Sequence, residues 1–194
     1  MQGSRAITRL QLLASLLLTT VPAWSLELDV ILESAAVTPP SRVGFREERH
    51  NPMFKKPLVL TGYLEYLSDG VLRKTIATPF EESFLIESDR IVIERAGDVR
   101  TVPLKKSRSL RTILGTIEAI LSGQTDKIEA DFTHEIGGTP RAWSVMLAPV
   151  SRSMRRQLVS LQVTGNDRSV TSIRIDLKGG EWHVMEVFHD DVEQ

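Results

Sequence analysis

The chain carries four histidines, the residue type most often found in metal sites and acid–base chemistry: His50, His134, His183 and His189. No two of them have the spacing with which a helix presents a pair of metal ligands. His183 and His189 stand six residues apart, beside Asp190 and Asp191. These four residues would allow a weak surface metal site, with ordinary solvated side chains as the alternative. The sequence therefore predicts no metal centre and no bound cofactor.

The residues of other catalytic chemistries are also missing or badly spaced. The sequence has no G-x-S-x-G or H-E-x-x-H motif and no phosphate- or calcium-binding loop. Glu47-Glu48 and Glu81-Glu82 are carboxylate couplets, but neighbouring side chains of a strand point to opposite faces, so neither couplet is an acid/base pair by itself. The absence of cysteine excludes a thiol nucleophile and a thiolate metal site. We predict that the protein is not an enzyme.

Two basic clusters are better candidates for contacts with a partner. The first stands where a helix is predicted to begin and the second before a late strand. Their members are Lys105, Lys106, Arg108 and Arg111 in the first cluster, and Arg152, Arg155 and Arg156 in the second. Either cluster could meet anionic lipid head groups or an acidic protein, and a solvated face is the alternative. The formal net charge of −1 argues against nucleic-acid binding.

The first 25 residues have the features of a cleaved secretory signal. Arg5 and Arg9 precede an apolar run from Leu10 to Val21, and Ala23-Trp24-Ser25 offers small residues at the cleavage site. The run is too short to anchor the chain in a bilayer. Cleavage would leave 169 residues, enough for one domain over 26–194, with 22 basic against 25 acidic residues and a net charge of −3. The missing lipobox cysteine predicts a product that is not itself lipid-anchored, and a bacterial periplasm is the expected compartment.

Strand-like segments with turn residues between them dominate the remaining chain. The predicted strands are Arg42–His50, Leu58–Tyr66, Val71–Thr78, Glu81–Glu87, Arg90–Arg95, Asp98–Pro103, Ile128–Ile136, Arg141–Ala148, Arg156–Thr164, Val170–Leu177 and Trp182–Phe188. Their links are too short for parallel crossovers, so the neighbours must be antiparallel. Two amphipathic helices are predicted, over Leu26–Val37 and Ser107–Gly123.

Alternation along the strands concentrates apolar side chains on one face of the sheet. Leu58, Leu60, Leu64 and Tyr66 share a face of their strand, as do Ile173, Ile175 and Leu177 of theirs. A sheet of this size with one apolar face must curl or be covered, and two helices are few covers for eleven strands. A curled sheet with an apolar cavity under helical lids is one solution, and a filled sandwich or barrel is the other.

A series of motifs in the order of the predicted strands resembles the periplasmic outer-membrane lipoprotein carrier family, LolA-like proteins, and more closely a divergent branch of it. The first half contributes Phe45-x-Glu47-x-Arg49, Leu58-x-x-x-Gly62-x-Leu64, Gly70-Val71-Leu72-Arg73, Pro79-x-x-Glu82, Phe84-x-Ile86, and Ser88-Asp89 before Ile91-Val92-Ile93. The second half contributes Trp143-Ser144-Val145-Met146-Leu147-x-Pro149 and Leu161-x-Val163-x-Gly165. The resemblance covers about residues 26–187.

The resemblance implies an unclosed antiparallel β-barrel of about eleven strands, in the mainly β (α+β) class, with helices as a lid over an apolar cavity. The cavity residues would be Leu60, Leu64, Tyr66, Leu72, Phe84, Ile86, Trp143, Leu147, Ile173, Ile175 and Trp182. The lid face would be Leu110, Ile113, Leu114 and Ile117. For each of these residues plain core packing is the alternative.

The resemblance also marks a departure at the lid tether. The family's carriers have an arginine just before the third strand, where this chain reads Leu67-Ser68-Asp69-Gly70. Arg73 is the candidate substitute, and Lys74 replaces an aromatic residue of the family. Arg73 and the basic residues Lys105, Lys106, Arg108 and Arg111 are the candidate gating or partner contacts.

The function that the resemblance implies is transport of an acylated lipoprotein or other lipid through the periplasm. The partners would be an inner-membrane donor complex and an outer-membrane acceptor, met in transient contacts by a monomer. The alternative is a lipid- or partner-sensing module on the same scaffold that transfers nothing.

Overall fold

The computed structural model describes residues 27–106 and 108–188, and within them eleven strands form one antiparallel sheet. The strands are β1 (Ser41–His50), β2 (Leu58–Ser68), β3 (Val71–Thr78), β4 (Glu82–Ile86), β5 (Arg90–Arg95), β6 (Asp98–Pro103), β7 (Phe132–Thr139), β8 (Ala142–Pro149), β9 (Leu158–Asn166), β10 (Ser169–Leu177) and β11 (Trp182–Phe188). Their spatial order is β6-β5-β4-β3-β2-β1-β11-β10-β9-β8-β7. Because β6 and β7 are the two edges, the barrel is unclosed, as predicted.

The pairing of β1 with β11 joins the two halves of the sheet. Every other strand pair in the described chain joins consecutive strands, as the short turns predict. Glu47 lies opposite Met185, and Arg49 lies opposite His183. These four residues therefore lie next to one another on two paired strands at the middle of the sheet.

Three helices accompany the sheet: α1 (Leu28–Ala35), α2 (Arg108–Ser122) and α3 (Thr125–Glu129). The two predicted helices are confirmed as α1 and α2. The buried residues of α1 are Leu28, Ile31, Leu32 and Ala35, which recur at helical spacing. α2 ends before Gly123, whose φ of +71° is the left-handed conformation that glycine adopts readily.

The prediction of a strand from Ile128 is wrong. Ile128 is a buried residue of α3, and β7 begins at Phe132. A helix of five residues is too short for the helical period to show in the sequence. In the described residues, no helix has the length and apolar character that crossing a bilayer requires.

At two glycines of the sheet, neighbouring atoms lie so close that a larger residue would not fit. A Cβ atom at Gly62 would lie 1.9 Å from the backbone oxygen of Thr75, beside a register shift between β2 and β3. A Cβ atom at Gly165 would lie 2.1 Å from Cζ2 of Trp143. The first glycine lets β3 fold close against β2, and the second leaves room for an indole ring in the core.

The buried residues form two clusters of unequal size. The larger packs β7 to β10 against α1, α3 and the end of α2, and it includes Trp143, Leu147 and Leu161. The smaller consists of Phe45, Leu60 and Ile76 on β1, β2 and β3. The space between the smaller cluster and α2 is the site described next.

A candidate lipid-binding cavity

An apolar cavity of about 340 Å³ lies between the concave face of the sheet and the helices. Its strand wall comes from β1–β3, the end of β4, β10 and β11, and includes Val43, Leu64, Leu72, Ile86, Val170, Ile173, Ile175, Met185 and Val187. Its helical roof comes mainly from α2, as Leu110, Ile113, Leu114, Ile117, Ile120 and Leu121, with Ala35 and Val37 beside them. The apolar stripe of α2 therefore borders open volume, where a filled core would place other side chains.

Two polar contacts in the described residues join the roof to its neighbours among the helices. The backbone N–H of Val37 donates to the carbonyl oxygen of Leu121 at 2.8 Å, which joins the chain after α1 to the end of α2. Lys127 of α3 pairs with Glu118 of α2 at 3.7 Å. On the sheet side, the Tyr66 hydroxyl donates to Asp69 at 3.1 Å. Burial, followed by Asp69 and Glu118, raises the pKa of Tyr66, so this hydroxyl keeps its proton.

The structure places ten of the predicted cavity and lid residues in the lining of this cavity. Six come from the predicted cavity set: Leu64, Tyr66, Leu72, Ile86, Ile173 and Ile175. The other four are the whole predicted lid face: Leu110, Ile113, Leu114 and Ile117. These residues, which are far apart in the chain, surround one space.

Five predicted cavity residues lie outside the lining, for three reasons. Leu60 belongs to the small buried cluster with Phe45, and Phe84 packs against that cluster. Trp143 and Leu147 point inward from β8, but there α1 and α3 fill the space above the sheet. Trp182 lies on the other face of β11 from the cavity residues His183, Met185 and Val187, because successive side chains alternate. Its ring stacks on His50, with centroids 5.2 Å apart.

The predicted gating residues divide in a similar way. Arg73 lines the cavity and pairs with Glu65 at 3.7 Å. Arg111 lines a surface cleft between α2 and α3, together with Lys127 and Asp131. Lys105 is exposed. The side chains of Lys106 and Arg108 lie outside the described part of the structure.

Charged and polar side chains form a cluster at one end of the apolar cavity. Glu47 is 4% exposed and lines the cavity together with Lys74 and His183. Lys74 Nζ donates to Glu47 Oε2, and it lies 4.6 Å from the centre of the Phe45 ring. Arg49 donates to both carboxylate oxygens of Glu47, at 3.0 and 3.2 Å. His183 Nδ1 lies 3.8 Å from Glu47 Oε1.

The charges of this cluster follow from burial and from its ion pairs. Burial by itself would raise the pKa of Glu47, but Lys74 and Arg49 outweigh it and hold that pKa below its ordinary value. Burial lowers the pKa of Lys74, and Glu47 offsets part of that effect. Burial, aided by Arg49, lowers the pKa of His183. The ion pairs therefore place one carboxylate between two basic side chains, and the imidazole beside them is neutral at neutral pH.

Sequence reasoning missed this cluster, although alternation could have revealed it. Glu47 shares its strand face with Val43 and Phe45, and Lys74 shares its face with Leu72 and Ile76. A charged residue at an apolar position of each of two nearby strands is the pattern of a buried ion pair.

Within the described residues, no group of three His, Asp or Glu side chains could hold a metal ion. His183 lines the cavity. The other members of the conceivable surface metal site, His189, Asp190 and Asp191, lie outside the described residues.

The sequence matches a family model described as outer membrane lipoprotein carrier protein LolA-like, over residues 20–184. No curated protein matches the sequence.

Solved structures with a similar chain path have low sequence identity. A LolA superfamily protein from Nitrosomonas europaea is 12% identical, with a TM-score of 0.44 over 87% of this chain and 96% of the other. A DUF1329 family protein from Desulfovibrio piger is 10% identical, with a TM-score of 0.46 over 86% and 92%. LprF from Mycobacterium bovis is 13% identical, with a TM-score of 0.38 over 85% and 94%. Because all three scores are below 0.5, the family assignment rests on the sequence match.

Proposed function

This chain belongs to the family of LolA-like outer membrane lipoprotein carrier proteins, and we propose that it is a periplasmic carrier of acylated cargo. In this proposal the cavity holds the acyl chains of a lipoprotein or another lipid, and the protein ferries them from the inner toward the outer membrane. The observation that supports it is the apolar cavity beneath α2. Proteins of this family are carriers and binding proteins, so we expect no turnover of the bound cargo.

Burial of the acyl chain supplies the affinity. Each methylene group removed from water contributes about 0.8 kcal/mol, so a long chain binds strongly with few polar contacts. The wall offers branched aliphatic side chains such as Leu64 and Ile173, and the roof offers Ile113 and Ile117. Such a lining selects for chain length and for the absence of charge along the chain.

Release requires that the roof can move. The volume of about 340 Å³ is at the small end of the range of ligand pockets, about 300–1,000 Å³, so several acyl chains need α2 to shift outward. The polar contacts at Leu121 and Glu118 are among the bonds that such a shift would strain. A cargo opens the lid only if it binds the open state more tightly than the closed state.

The partners are proposed from the route of the cargo. A donor at the inner membrane would load the carrier, and an acceptor at the outer membrane would receive the cargo, each in a transient contact with a monomeric carrier. Arg73, Lys105, Lys106, Arg108 and Arg111 are the proposed gating or partner contacts. No nucleic acid is involved.

Transfer of a fluorescent acylated lipid between two vesicle populations tests the proposal. We expect the purified protein to raise the transfer rate in proportion to its concentration. A protein that binds the lipid without raising that rate would favour a sensing module over a carrier. A protein that neither binds nor transfers the lipid would remove both functions.

A further inference from the structure

The charged end of the cavity has more positive charge than its own ion pairs use. Within the part of the chain that the structure describes, Glu47 is the one carboxylate that pairs with Lys74 and Arg49, and it receives hydrogen bonds from both. With His183 neutral, the cluster carries one net positive charge. Arg49 is about a third exposed to solvent, whereas Lys74 is largely buried and lines the cavity. An anion in the cavity would therefore meet Lys74 first.

The donors that would meet such an anion face the cavity. Lys74 has three N–H donors: Glu47 accepts one, and the thioether of Met185, a weak acceptor, lies 4.0 Å from Nζ. His183 lines the cavity on the neighbouring strand β11. Its Nδ1 lies 3.8 Å from Glu47, which is beyond hydrogen-bond distance. Lys74 and His183 therefore have N–H groups that could donate to an anion lying beside Ile175 and Met185.

We propose that this cluster binds the anionic head of a single-chain lipid, a carboxylate in the first instance, while the acyl chain occupies the apolar part of the cavity. The proposal rests on the proposed function, because it needs an acyl chain in the cavity. Lys74 and His183 would donate to the anion, and Arg49, bound to Glu47 behind them, would balance its charge. The cargo class is then an acyl chain that ends in an anionic oxygen group.

Another cation lines the same cavity at a different place. Arg168 precedes β10 and lies five residues before Ile173. Ile173 is paired with Met185 in the sheet, and Met185 is paired with Glu47, so Arg168 lies away from the charged cluster. Its side chain is exposed, so water competes with an anion there more strongly than at Lys74. Arg168 therefore provides a matched comparison for the buried site.

The test compares two probes with the same chain, palmitate and methyl palmitate, by competition with a bound fluorescent fatty acid at neutral pH. We expect the full-length mature protein to bind palmitate about tenfold more tightly, the size expected for hydrogen bonds to a charged group. Lys74→Met should bring that ratio close to one. Lys56→Met in the exposed β1–β2 loop should leave the ratio unchanged, and Arg168→Met should lower it less than Lys74→Met does. Hexadecyl phosphate in the same assay distinguishes a phosphate head from a carboxylate.

Glu47→Gln separates head-group binding from a structural role of the cluster. Removal of the competing carboxylate should raise the palmitate preference further, whereas a structural role predicts equal losses for both probes. A ratio of one in the wild type, equal losses in both variants, or loss of the ratio in Arg168→Met alone would overturn the proposal while leaving the carrier function in place. Failure of the wild type to bind either probe would overturn the carrier function and this proposal together.

Discussion

The two halves of the sheet are covered in different ways. Over β7 to β9, the helices α1 and α3 and the end of α2 pack directly on the strands, and side chains such as Trp143 and Leu161 are buried. Over β1 to β3, the fully buried cluster consists of Phe45, Leu60 and Ile76. α2 continues across the gap and roofs the cavity. One apolar face thus becomes a core where helices fill it and a cavity where a single helix spans it.

This difference separates stability from binding along the sheet. Residues of the filled half hold the fold together, because their removal leaves a void in a close-packed region. Residues of the cavity half already border open space, so their removal changes the space offered to a ligand. The predictions below test that separation, beginning with the largest expected effect.

Truncation of a leucine in each half should have very different costs. Leu161→Ala, at a residue that is 0% exposed, should lower the free energy of unfolding by about 2–5 kcal/mol. Leu114→Ala, in the cavity roof, should lower it by about 1 kcal/mol or less, because its side chain is partly solvated. Urea unfolding followed by circular dichroism measures both. Equal losses would mean that the cavity half is packed as tightly as the core.

A charge in the roof should abolish binding and leave the fold intact. Ile117→Lys places an ammonium group against the apolar cavity, and we expect fatty-acid affinity to fall at least about tenfold, because the charge must be desolvated when the chain binds. Thr112→Lys adds the same charge to α2 at the cleft beside α3 and should bind normally. Circular dichroism of both variants should match the wild type, whereas unfolding of Ile117→Lys would indicate a core position.

Stability should fall as the pH drops through the titration range of histidine. The pKa of His183 is lowered by burial and by Arg49, despite the opposing effects of Glu47 and Glu181, so the unfolded chain binds a proton there at higher pH than the folded chain does. The stability linked to His183 is therefore present above its ordinary pKa of about 6.5 and is lost as the pH falls toward the lowered value.

The variant His183→Gln should flatten this dependence. Between pH 7.5 and pH 5.5 we expect the fall in Tm to be about one to two degrees smaller than in the wild type, which is the shift that a fraction of a kcal/mol produces in a domain of this size. Parallel Tm curves would show that His183 titrates as a solvated residue.

Removal of Trp182 should have the smallest effect on binding. Its ring stacks on His50 and lies under Arg174 at 5.2 Å, on the strand face away from the cavity residues. We expect Trp182→Ala to leave fatty-acid affinity within about twofold of the wild type, a change below 0.5 kcal/mol. A larger loss in the competition assay would place this residue in the cavity after all.

The sequence predicted the sheet well because its signals are local. Turn residues and alternation gave eleven strands, and helical spacing gave α1 and α2. Which inward residues line a cavity is not a local property, because it depends on where helices from elsewhere in the chain settle. Trp143 and Ile173 look alike in sequence and belong to the same buried cluster, yet of the two Ile173 alone also lines the cavity. Trp182 is adjacent to the cavity residue His183, and neighbouring residues of a strand point to opposite faces. A difference of one position therefore moves a predicted residue out of the cavity.

The central claim is that the cavity carries acylated cargo, and native mass spectrometry of the mature protein purified from a bacterial periplasm tests it most directly. We predict that about one acylated molecule is bound per chain, because burial of its acyl chain is favourable. Extraction into organic solvent would then identify the bound molecule. An empty protein that also fails to take up a fluorescent fatty acid would contradict the account.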